Sequence, residues 1–215
     1  MKLRITGVAV FLGIVAGCAA EEAEPVAEAP MEAEALMPQI ALDADAVELA
    51  CEPQGMPLED RVSPYDSVSV SVGGQQAKLC YGRPSMRDRE IFGSDLVPFD
   101  TIWRTGANEP TTIHIPFPVQ IAGLAVEPGS YSIYTVPGED EWEVIVNRST
   151  SQWGIETEYT EEVRAQEVGR ATVPLEANPE AVETFTITTE EMGEGAVDLV
   201  LEWENSRVRI PVEQV

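Results

Sequence analysis

The chain has 215 residues and a formal charge of −25, from 13 basic and 38 acidic residues. That length holds one domain, or one domain with appendages. So acidic a surface repels a phosphate polyanion unless a local basic patch focuses it, which excludes nucleic acid as a partner.

The N-terminus, "MKLRITGVAVFLGIVAGC", sets Lys2 and Arg4 before an apolar run from Val8 to Val15 and then small residues. This is the layout of a secretory signal peptide. The run is too short for a membrane span, which needs about 20 apolar residues. Val15-Ala16-Gly17-Cys18 resembles the lipobox of bacterial lipoproteins. That resemblance implies removal of residues 1–17, lipid attachment at Cys18 and a membrane partner reached through several acyl chains. The alternative is a plain signal peptide cut near Ala19 or Ala20. Enteric lipoproteins carry an aspartate after the cysteine when kept at the inner membrane, so Ala19 points to the outer membrane, facing periplasm or cell surface.

Residues 18–62 read as an acidic, mostly disordered tether. Between Ala19 and Val62 stand twelve acids and one base, Arg61. Such a segment buries too little apolar area to offset its conformational entropy, and its charges extend it. "PQIALDADAVELAC" is the exception: Ile40, Leu42, Val47 and Leu49 fit a short helix or an added strand. Its acids lack the glycine and terminal glutamate of a calcium loop. Cys51 and Cys80 remain beside Cys18. In an oxidising compartment they are expected to pair, pinning the tether to the domain. The alternative is two free thiols, with Cys80 buried in its strand.

From Ser63 to Val215 the pattern has period two, with turn residues every eight to twelve positions. This predicts an all-β domain, a single antiparallel β-sandwich of roughly nine or ten strands with a long irregular crossover. "SVSVSV" turns at Gly73-Gly74 into "QAKLCY". "TTIHIPF" follows, then a hairpin around Ala122-Gly123, then "GSYSIYTV" turning at Pro137-Gly138 into "EWEVIVNR". "QEVGRATVPL", "VETFTITTE", "AVDLVLEWE" and "RVRIPVE" read as four further strands, the last two joined by a tight turn at Asn205-Ser206. "SMRDREIF" reads as a short helical turn.

"YGRPSMRDREIFGSDLVPFDTIWRTGANEPTTI", "GLAVEPGSYSIYTVPGEDEWEVIVN" and "LVLEWENSRVRIPV" together resemble the domain-of-unknown-function 2911 family of exported bacterial proteins. The resemblance covers nearly all of 63–215. The family pattern has a glycine ahead of the arginine at Arg89, where this chain has Asp88. The resemblance implies the fold and export; it carries no activity or catalytic residues.

The segment Arg83 to Arg104 holds Arg83, Arg87, Arg89 and Arg104, balanced by Asp88, Glu90, Asp95 and Asp100. Every base in it is an arginine, whose planar guanidinium suits bidentate anion pairing and stacking on aromatics. One reading is a pocket for an anionic or sugar-like ligand built from Arg83, Arg104, Asn108 and Glu109. The other is a crossover stapled to the sandwich by arginine–carboxylate pairs. The single histidine, His114, alternates with Ile113 and Ile115 and reads as structural. No zinc ligand cluster, phosphate loop or G-x-S-x-G appears, so no cofactor or metal is expected. Trp142, Trp153 and Trp203 read as packing. Asn147-Arg148-Ser149 fits a glycosylation sequon.

The expectation is a membrane-anchored cell-envelope binding or interaction module rather than an enzyme. The alternatives are an envelope hydrolase using Glu109 beside the arginines, and a structural component contacting another envelope protein.

Overall fold

A computed structural model describes residues 47–215; Cys18, the signal peptide and most of the tether lie outside the described residues. The described chain is built of strands with almost no helix. Nine strands form one continuous antiparallel ladder in the order β1-β2-β3-β6-β7-β8-β9-β4-β5. They are β1 (Tyr65–Val72), β2 (Gln75–Gly82), β3 (Thr111–Ile115), β4 (Val119–Ile121), β5 (Leu124–Val126), β6 (Gly129–Pro137), β7 (Glu141–Asn147), β8 (Glu167–Gly193) and β9 (Ala196–Gln214).

Two layers arise because β8 serves both. Its first part, Glu167 to Pro174, pairs with β7; from Leu175 onward it pairs with β9. The changeover falls between Pro174 and Leu175, and register shifts between Ala177 and Val182 and between Val182 and Thr186 then bend the strand within its β9-paired part. Alternation then fills the space between. Val70, Leu79, Ile113, Ile133 and Val144 face inward from one layer, and Ile121, Ile187, Leu199, Val208 and Ile210 from the other; all are buried. One end of the core is closed by Phe92, Trp103, Trp142, Phe185 and Trp203. Trp103 stacks on Trp203 with centroids 5.8 Å apart and an 18° interplanar angle, and meets Phe185 edge-on at 5.2 Å.

Three features depart from the sequence expectations. The four C-terminal strands are two long ones. β9 runs straight through Asn205 and Ser206, with Ala177 facing Ser206 across the ladder. The irregularity sits one residue earlier, at Glu204, which adopts φ 53°. The bulge re-aims its carboxylate onto the crossover, where it accepts from the Ile91 and Phe92 N–H groups at 3.2 and 3.3 Å. "SMRDREIF" makes no helix, because Arg87 and Asp88 take φ of 53° and 58°, in the left-handed region that ends a helix. Asp88 thus occupies a conformation that a glycine, which the family pattern puts there, adopts without strain. The one α-helix among the described residues, α1 (Glu161–Arg164), is a single turn capped by the Thr160 hydroxyl.

The packed unit also begins ahead of Ser63. Cys51 and Cys80 form a disulfide with Cα atoms 5.7 Å apart, and residues 51–62 lie as a strap on the domain. The bridge closes a loop of 29 residues, so the chain-entropy model predicts that Cys51→Ser/Cys80→Ser costs about 3.6 kcal/mol, read as a lower midpoint in urea.

Candidate functional site

The stretch Trp103 to Ile115 begins as a short extended piece against β6. Trp103 and Thr135 exchange both backbone hydrogen bonds, at 2.7 and 2.9 Å. The indole therefore points into the core, and Ile102 and Arg104 point the other way, toward Tyr134. Thr105 and Asn108 take φ of 55° and 68°, and the loop between them crosses β2 where Gly82 has no side chain to meet the Ala107 carbonyl.

The four arginines and their neighbours separate in space. Arg83 is a staple: it reaches Asp66 at 3.0 Å, the Phe185 carbonyl at 3.2 Å and the Thr186 hydroxyl at 2.9 Å. Glu109 is 1 % exposed, and both its oxygens accept from Nη1 of Arg61 at 2.9 Å. The same guanidinium donates through Nη2 to the Gln54 and Met56 carbonyls at 2.8 and 3.0 Å, and the Gln54 N–H returns to Glu109 at 3.2 Å. Arg61 also lies 5.2 Å above the Tyr65 ring. Burial, with the Glu109 carboxylate second, pushes the Tyr65 hydroxyl up to about 12. Glu109 and Arg83 therefore hold the fold together, and Arg61, the lone base of the acidic stretch, is the partner that the sequence reading missed.

Arg104 has no carboxylate. Its Nη1 donates to the Gly154 carbonyl at 3.2 Å, its Nε is buried without a partner, and burial lowers its pKa against the opposing pull of Glu156. Asn108 accepts from the Gly154 N–H through its carbonyl at 3.1 Å, while its Nδ2 is buried and unpartnered. Around these residues lies a cleft of about 250 Å³ between the crossover, the end of the strap and β9. Trp103 and Trp203 line it, with Arg87, Arg89, Arg104 and Asn108; Val62 and Leu96 add an apolar lip. No acidic residue lines it. Arg87 Nη2 donates to the Val62 carbonyl at 2.9 Å, and Arg89 donates to the Met86 and Ser85 carbonyls at 2.7 and 2.8 Å. Among the described residues Arg87, Arg89, Arg104 and Arg148 are the arginines whose guanidinium groups pair with no carboxylate, though the Arg87 N–H donates to Glu183 at 2.9 Å, and three of these four line this cleft. The crossover that is neutral along the chain is sorted in space: three of its four arginines border the cleft and its acids do not.

The outer face of β6 and β7 carries a packed polar network rather than a cavity. Gln152 donates to the Tyr134 hydroxyl at 3.0 Å, and Asn147 donates to the Tyr159 hydroxyl at 3.1 Å and the Val163 carbonyl at 2.8 Å. Tyr159 donates to Glu167 at 2.8 Å, and Arg170 ties Glu167 to Glu143. Burial holds Tyr134 up at about 12 and raises Tyr159 as well. Asn147 is fully buried with its amide engaged, so the sequon at 147–149 is closed to a glycosyl donor.

His114 sits on the outer face of β3, its Nδ1 2.8 Å from the Ser130 hydroxyl and its Nε2 buried without a partner. Burial lowers its pKa, with Glu52 opposing. A histidine depressed in the fold stabilises it above the unfolded value near 6.5 and loses that contribution as pH falls toward the folded value. Between pH 7 and pH 5 the melting temperature is expected to fall more for the wild type than for His114→Gln.

Among the described residues, no group of three or more His, Cys, Asp or Glu is arranged to hold a metal ion, and no helix is long and apolar enough to cross a membrane. Residues 63–212 match the family model described as a protein of unknown function, DUF2911. The chain belongs to the DUF2911 family. No curated protein and no solved structure matches it.

Proposed function

We propose that this DUF2911 domain is a binding module for a small anionic ligand, carried by a membrane-anchored envelope lipoprotein. The observation behind the site is the cleft itself: three arginines whose guanidinium groups pair with no carboxylate border a cavity with no acidic lining, in a chain of net charge −25. A cleft with one sign of charge and low-dielectric walls focuses its field on a counter-ion, even on a protein of the opposite net charge. Arg87 and Arg89 are the anchors at the mouth, Arg104 contributes charge from behind the loop, and Asn108 supplies an amide. The two indoles give an apolar floor on which a planar or sugar-like part of the ligand could rest. The volume lies just under that of pockets for drug-sized molecules, which favours a small acid or one charged end of a longer molecule.

The hydrolase reading loses its acid, because Glu109 is engaged through both oxygens by Arg61. Anchoring rests on the lipobox at Cys18, and mass analysis of the exported N-terminus tests it: an unmodified start at Ala19 or beyond would remove the anchor. For the site, a thermal-shift panel of inorganic phosphate, sulfate, succinate and glucuronate is the first test. A ligand at 100 times its dissociation constant raises stability by about 2.7 kcal/mol, and Arg87→Ala/Arg89→Ala is expected to erase the shift.

A further inference from the structure

The two ends of the ladder are treated differently. β5 is three residues long, and a short edge offers little to pair with. The free side of β8 beyond its β7 pairing is covered by side chains: the Ile187 N–H donates to the Tyr81 hydroxyl at 3.0 Å, and Arg83 Nε donates to the Phe185 carbonyl. β1 is long, and of its outward backbone groups the Ser67 N–H is covered, by the Asp66 carboxylate at 2.7 Å, a contact that pairing with another strand must displace. β1 has eight residues, pairs with β2 without a register shift, and contains no proline, lysine or arginine.

The phase of its backbone can be read. The Arg83 N–H donates to the Pro64 carbonyl at 2.7 Å, so the residues in phase with Pro64, namely Asp66, Val68, Val70 and Val72, exchange ladder bonds with β2. Tyr65, Ser67, Ser69 and Ser71 turn their N–H and C=O groups away. Ser67 agrees, its N–H being taken by the Asp66 carboxylate at 2.7 Å. Val70 and Val72 are buried, while Ser69 and Ser71 are exposed on the outer face.

We propose that β1 is a self-association edge that pairs antiparallel with β1 of a second copy of the chain, about a two-fold axis at Ser69. In this register Ser67 meets Ser71 of the partner, and Val68 meets Val70. Hydroxyls then lie over hydroxyls on one face and valines over valines on the other, both favourable cross-strand pairs. The only acid of the strand, Asp66, is already paired with Arg83 at 3.0 Å. It falls opposite Val72, and the two Asp66 side chains are separated along the strand by about 20 Å, six residues at about 3.3 Å each. That exceeds the Debye length of about 8 Å at physiological salt. Pairing about Val68 keeps the phase but brings those acids to about 13 Å, and pairing about Val70 keeps it but overlaps only Val68 to Val72, so both are disfavoured. The product is a closed two-fold dimer whose ladder is continuous across both copies.

Sedimentation of the full chain over a dilution series tests the edge, alongside Ser69→Pro. Proline there removes an outward N–H and leaves the β2 ladder intact, as at other edge positions. The expected result is a mass that doubles with concentration, more readily at higher salt because screening weakens the repulsion between two acidic copies, and a Ser69→Pro chain that stays monomeric. If proline unfolds the strand, cysteine placement decides. With Cys18→Ser replacing the lipobox cysteine, Ser69→Cys puts two Cα atoms about 5.5 Å apart, within disulfide range, and Ser67→Cys does not. Ser69→Cys is expected to cross-link at least about tenfold faster under mild oxidant. A wild type monomeric at every concentration and salt, a dimer that survives Ser69→Pro, or equal cross-linking at the two positions would overturn the proposal.

Discussion

Glu109→Ala is expected to cost about 3–5 kcal/mol, the range for breaking a buried ion pair by removing one partner. The Arg61 side chain is 0 % exposed. Without Glu109 it has only the Gln54 and Met56 carbonyls to receive a full charge. Chemical unfolding would register the loss as a lower midpoint with an unchanged slope. The double variant Arg61→Met/Glu109→Leu is expected to recover much of it, because desolvating the pair costs nearly as much as the pair returns. Were Glu109→Ala to unfold at the wild-type midpoint, the strap would be held by the disulfide alone. The strap also forms one wall of the cleft through Val62 and Ser63, so the single variant is expected to weaken anion binding as well, while the double variant is expected to restore it.

Trp103→Ala is expected to cost a comparable amount, about 3–5 kcal/mol, as for other buried large aromatics. The indole is 4 % exposed and touches Phe92, Trp142, Phe185 and Trp203 within 6.0 Å. Removing it opens a cavity beneath the cleft, while the backbone bridge to Thr135, made by main-chain groups, is retained. Trp103→Phe keeps an aromatic ring in the cluster and is expected to recover most of the stability, read by urea unfolding followed through the remaining tryptophans. Equal losses in the two variants would mean that the indole acts through its full volume rather than as one of several packed rings.

Much of the fold was legible because alternation writes a sheet directly. The Gly73-Gly74 and Ala122-Gly123 hairpins are where composition puts them, and Ile113 and Ile115 face the core with His114 outward. The long strands were not legible, since Asn205-Ser206 has the composition of a turn and nothing local reports that β8 and β9 bend by bulges instead. The site was only half legible. Charge counting along Arg83 to Arg104 gives neutrality, and only the third dimension separates Arg87 and Arg89 from Asp88, Glu90, Asp95 and Asp100. Glu109 looked available because its partner lies 48 positions earlier, inside a stretch whose acidity argued for disorder. The one signal was Arg61 itself, a single base among twelve acids, where a segment with no structural duty has little use for an arginine.

The most direct test of the anion site is calorimetric titration of the wild type with the anion that gives the largest thermal shift, at two salt concentrations and beside two variants. Saturable binding is expected, weaker at high salt, reduced at least about tenfold in Arg87→Ala/Arg89→Ala, which is about 1.4 kcal/mol, and unchanged in Arg83→Ala, whose guanidinium faces Asp66 away from the cleft. Binding that survives the double substitution in a folded protein, or is lost equally in Arg83→Ala, would contradict the assignment of the cleft.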